Sequence, residues 1–191
     1  MNAKEILTKS FKIYGGCSAI LNSKYLKVAI VITILCWRLW TQPGYWELPI
    51  SIMPNIIGFT LAGFAILLAF GDTKFFSLIS FKENDEHSPF FKFATTFIIF
   101  IITQTTALLY AIIMKSWFDN PIMIYNIGLT TGSILRVIQI LLQGFGFIVF
   151  IYSMFLVIAA AVEVFRIVNW LEIYHTSQHN KEKDSKKKSS V

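Results

Sequence analysis

Few side chains in this 191-residue chain are of types that do chemistry, and their spacing limits what that chemistry could be. Glu172, His175 and His179 fall on one helical face, and histidines at i and i+4 project together as metal ligands do. Only one carboxylate joins them, in a segment read as a mobile tail, so no metal is expected. Thr103, Gln104, Thr105 and Thr106 form a polar run inside an apolar segment, and Gln139 and Gln143 stand one turn apart in another, with Gly146 following on the same face. Amides at such positions either bond across helices, worth about 0.6 kcal/mol on average, or line a narrow polar conduit between copies. Gln104, Thr106, Gln139 and Gln143 are the candidates for both roles. Asp72 and Asp119 stand alone at helix ends, where capping is the ordinary role. The sequence offers no Ser-His-Asp set, paired acids or glycine-rich phosphate cradle. An enzyme is not expected, and neither is a cofactor.

The elements that position these groups are apolar. Pro49–Phe70, Phe93–Met114 and Val137–Val162 contain no Lys, Arg, Asp or Glu over 22, 22 and 26 residues. About 20 apolar residues cross a hydrocarbon core as helix, which satisfies every backbone group internally. A fourth, shorter stretch, Val28–Trp40, includes Arg38, whose long side chain can snorkel to the interface. The expected fold is therefore all-α: a polytopic membrane protein with four transmembrane helices at about 25–41, 49–70, 93–114 and 130–165. Mean hydropathy of +0.61 fits that class. Residues 17–176 would form the transmembrane domain, leaving no room for a separate soluble one.

Charge sets the orientation. Fourteen of the 17 Lys and Arg residues fall before the first stretch, between the second and third, or after the fourth. By the positive-inside rule both termini and the middle loop are cytoplasmic, and an even number of crossings demands that shared side. The net charge of +6 follows from this bias, so anionic lipid is the natural partner and direct nucleic-acid binding is not expected. Cys17 and Cys36 read as free thiols. No cleavable leader is expected, because the apolar stretch begins late.

Residues 1–16 read as a short amphipathic interfacial helix. Asn2 and Glu5 suit a capping box, Leu7, Phe11 and Tyr14 recur at helical spacing, and Gly15–Gly16 ends it. It would lie on the inner leaflet or against the ends of the bundle. In the second span Gly58, Ala62, Gly63, Ala65 and Ala69 give small-xxx-small spacing that lets helix backbones approach closely, within or between subunits. The loop near 71–92 sets Phe76 and Phe81 beside Glu83, Asp85 and Glu86. The last helix would continue to about 175, carrying Ile167, Trp170, Leu171 and Tyr174 beyond Arg166. An apolar stripe in water wants a partner. Residues 177–191 read as a disordered basic tail.

The segment Gly58–Asp72, GFTLAGFAILLAFGD, together with chain length and four spans, resembles small four-helix bacterial inner-membrane proteins, such as the membrane subunit of the Kiwa anti-phage defence system. The resemblance implies a bacterial inner-membrane protein that oligomerises and holds a cytoplasmic effector; it carries over no functional residue. The expected function is a non-enzymatic, homo-oligomeric sensor or scaffold, with four copies one candidate count. It would dock a cytoplasmic protein through Phe76, Phe81, Trp170 and Tyr174. The alternative is an oligomeric ion channel or membrane-permeabilising effector lined by the glutamines.

Overall fold

The computed structural model describes residues 2–70, 79–80, 88–118 and 129–189, and every regular element within them is helical. The first, α1 (Ala3–Tyr14), starts where the Glu5 carboxylate accepts the Asn2 backbone N–H at 3.1 Å. It ends at Gly15, which takes φ 103°, a left-handed conformation that side chains disfavour. A second short helix, α2 (Gly16–Leu21), and α3 (Lys24–Leu35) follow.

A continuous first span is not what forms. The helix breaks at Cys36 and resumes as the four-residue α4 (Trp37–Trp40). No proline or glycine causes the break. The Cys36 carbonyl instead accepts from Leu39 N–H at 2.8 Å, a tightened turn, and the Trp40 indole N–H donates back to the Thr33 carbonyl at 2.7 Å. The 12 residues of α3 rise about 18 Å, short of a core about 30 Å thick. Trp40→Phe is expected to remove the tie across the break and cost about 1 kcal/mol. Denaturant unfolding in detergent would measure it, and an unchanged midpoint would show that the tie contributes nothing.

Among the described residues three helices are long and apolar enough to cross a membrane: α5 (Glu47–Phe70), α6 (Pro89–Phe118) and α7 (Leu129–Ser189). The chain therefore has the character of a membrane protein. At 61 residues α7 extends about 90 Å, with neither Gly nor Pro after Gly146 to stop it. The structure runs the helix through residues 177–189, where composition suggested a disordered tail. Lysines are strong helix formers and suit the negative C-terminal end of a helix dipole.

The core has two parts along the antiparallel α6–α7 pair. One gathers Tyr45, Trp46, Met53, Ala107, Phe147 and Phe150; the other gathers Phe93, Phe97, Phe100, Tyr152, Leu156 and Ile167. The N-terminal helix closes over the second part. Tyr14 meets Phe100 edge-on at 6.4 Å, the Lys9 ammonium stands 5.3 Å from the Phe91 ring centroid, and Ser10 is buried. The helix thus packs against the chain's own α6. Beside it α3 lies on α7, with Tyr25 stacked on Phe155 at 6.3 Å.

Candidate functional site

A polar layer lies between the two core parts. The Gln104 side-chain N–H donates to the Thr60 hydroxyl at 3.0 Å, and Thr60 donates to the Ile56 carbonyl at 3.0 Å. Ser153 donates to the Phe150 carbonyl at 2.7 Å. All three side chains are buried, and the Gln104 carbonyl oxygen has no partner among the described residues. One interhelical bond of this kind is worth about 0.6 kcal/mol, and an orphaned buried acceptor works against it. Gln104→Leu is accordingly expected to shift stability by less than about 1 kcal/mol in either direction. A loss of several kcal/mol in detergent unfolding would overturn that balance.

Nearer the α4–α5 turn, the Tyr110 hydroxyl donates to the Leu142 carbonyl at 2.8 Å. Its ring lies against Gly146 so closely that a Cβ there would stand 2.4 Å from Tyr110 Cε1. Tyr45 Oη and Trp46 Nε1 are buried beside this contact without hydrogen-bond partners among the described residues. Burial pushes the Tyr45 phenol above its ordinary range, so it stays a neutral donor. Glu47 pairs with Lys115 across α5 and α6, a long-range contact that residue spacing could not reveal.

The polar candidates do not share one surface. Gln104 and Gln143 are buried inside a single chain, Gln139 is half-buried, and Thr106 faces out while bonding its own Ile102 carbonyl at 2.8 Å. A conduit formed between copies would need them together on an outer face.

Four of the five small residues of α5 share a face that points outward, and half-buried Gly63 lies off it. Gly58, Ala62, Ala65 and Ala69 are exposed, and a Cβ built on Gly58 or Gly63 meets nothing within 4 Å. Inside the chain α5 packs instead through Met53, Thr60 and Phe64. Exposed Ser51 and Asn55 extend the outward stripe, so that 51, 55, 58, 62, 65 and 69 alternate steps of four and three. That is the spacing of a close-packed helix seam.

Of the proposed docking residues, Phe76 and Phe81 lie outside the described residues, as do Glu83, Asp85 and Glu86. Tyr174 packs with Ile167 and Leu171 onto the chain's own core, whereas Trp170 is exposed. The opposite side of α7 carries a second apolar stripe, Ile158, Val162, Phe165 and Ile173 with Asn169 among them, all exposed. The sequence held part of the signal: Ile158, Val162, Phe165 and Ile173 fall on one helical face, with Asn169 between them. Glu163 and Arg166 pair on one side of this stripe at 3.1 Å, as their spacing predicts. Glu172, His175 and His179 are all exposed, with the His175 ring set edge-on to Tyr174 at 5.6 Å. Among the described residues no group of three or more His, Cys, Asp or Glu is placed to hold a metal ion.

No protein-family model, curated protein or solved structure matches this chain.

Proposed function

We propose that this chain is a non-enzymatic, homo-oligomeric membrane scaffold or sensor that holds a cytoplasmic protein partner, and that it serves in the bacterial inner membrane, in anti-phage defence. The observation that carries the reading is α7, which covers its own bundle with one apolar face and turns a second one outward. In the proposed orientation that second face runs past the Glu163–Arg166 pair, beyond the uncharged stretch, and so emerges from lipid. In this reading both termini are cytoplasmic, and α3 with α4 makes a short fourth crossing. Copies meet through the outward small face of α5, and the exposed stripe of α7 receives the partner. A signal would pass between the two faces through α6 and α7, packed between them.

Cross-linking in native membranes tests the self-association. Wild type should cross-link into oligomers, and Gly58→Leu with Ala62→Leu should leave mainly monomer with unchanged insertion. An unchanged ladder would remove α5 as the contact.

A further inference from the structure

We infer that the outward face of α3 is a binding site for an anionic phospholipid, its headgroup at Lys24 and Lys27 and one acyl chain along the helix. Lys24, Val28, Val31 and Leu35 follow one another by four, three and four residues and so share a face, flanked by Lys27. All five are exposed, Val31 at 55% and Leu35 at 75%. The other side of the helix fixes that orientation. Tyr25 stacks on Phe155, and Ala29 and Thr33 are buried.

The face is cationic for its first turn and apolar for the remainder, and among the described residues no acidic side chain pairs with the cationic end. Residues 2–35 hold five lysines against a single acid, Glu5, whose carboxylate is engaged by the Asn2 N–H. An acidic protein or a nucleic acid would match the lysines and offer nothing to Val31 and Leu35. A neutral lipid would match the ladder and leave two ammonium groups facing a headgroup with no net charge. An anionic phospholipid answers both ends, since its phosphate meets the lysines and its chain meets the ladder. Length agrees as well: Lys24 to Leu35 is about 16 Å of rise, against about 15 Å for half of a hydrocarbon core. The site needs only a chain embedded in a membrane and is independent of any docked protein.

The test is lipid retention by the full-length protein in mild detergent, read by native mass spectrometry with equal phosphatidylglycerol and phosphatidylcholine. Wild type should retain phosphatidylglycerol preferentially. Each lysine near such a surface contributes roughly fivefold, so K24Q/K27Q should lower the preference by roughly thirtyfold. The charge-matched K181Q/K183Q should keep it. V31S/L35S should lower retention of both lipids while keeping the preference. Inorganic phosphate at the same concentration should displace nothing. No preference in wild type, an unchanged preference in K24Q/K27Q, or an equal loss in K181Q/K183Q would overturn the site. Unchanged retention in V31S/L35S, or displacement by inorganic phosphate, would overturn it as a lipid site and leave a bare phosphate site.

Discussion

Gly146→Ala should destabilise the bundle by about 2–3 kcal/mol, the largest effect expected of any single added methyl group in the membrane helices. The new Cβ would stand 2.4 Å from Cε1 and 2.7 Å from Cδ1 of Tyr110, and 3.0 Å from the Tyr45 hydroxyl. A flexible side chain could swing aside, but this ring is held at its far end by the bond to the Leu142 carbonyl. Gly144→Ala is milder, about 1 kcal/mol, because Trp40 stands off at 3.2 Å. Gly58→Ala and Gly63→Ala meet nothing and should leave the single chain as stable as wild type or slightly more so.

Unfolding in an SDS titration, followed by tryptophan fluorescence, would rank the four variants. Equal midpoints for Gly146→Ala and Gly58→Ala would sink the account. A double variant sharpens it. Tyr110→Phe removes the hydroxyl anchor and lets the ring turn, so Gly146→Ala should cost less in that background than in wild type. Contacting residues couple in this way, whereas a general loss of helix packing would be additive.

Much of this fold was legible because the membrane simplifies the reading. Long uncharged runs become α5, α6 and α7, and residues three apart become the Glu163–Arg166 pair. What stayed hidden was which partner satisfies a given apolar face. The α1 helix suits a leaflet and a protein groove equally, since lipid and phenylalanine offer similar chemistry, and its contact with Phe100 was not legible in the spacing. The small residues of α5 announce close packing, yet the chain fills its own interior with Met53, Thr60 and Phe64 and leaves the small face free. The break at Cys36 has no Pro or Gly to mark it, because it is held by an indole reaching back about two turns. Gly146 drew notice only as a neighbour of Gln143, and its role as a seat for Tyr110 depends on two helices being docked.

The α7 stripe illustrates the same ambiguity and supports the second large effect. Aromatic residues drew attention to Trp170 and Tyr174, but Tyr174, Ile167 and Leu171 are used within the chain. Phe165 and Ile173, exposed at 73% and 59%, are the residues free to bind. Phe165→Glu with Ile173→Glu should abolish co-purification of the cytoplasmic partner, because central anchors of an interface each contribute about 2 kcal/mol or more and two lost anchors leave little affinity. Membrane insertion and the cross-linked ladder should not change, since neither side chain packs within the chain. Ile167→Glu is the necessary contrast: at 4% exposure it would bury a charge and unfold the inner packing itself. Asn169, in the middle of the stripe, should set the register of the contact rather than its strength, as polar residues in helix seams do. Asn169→Leu should therefore retain the partner and admit others. Retention of the partner by the double glutamate variant would mean that α7 does not bear the docking site and that the loop between α5 and α6 has to be tested in its place.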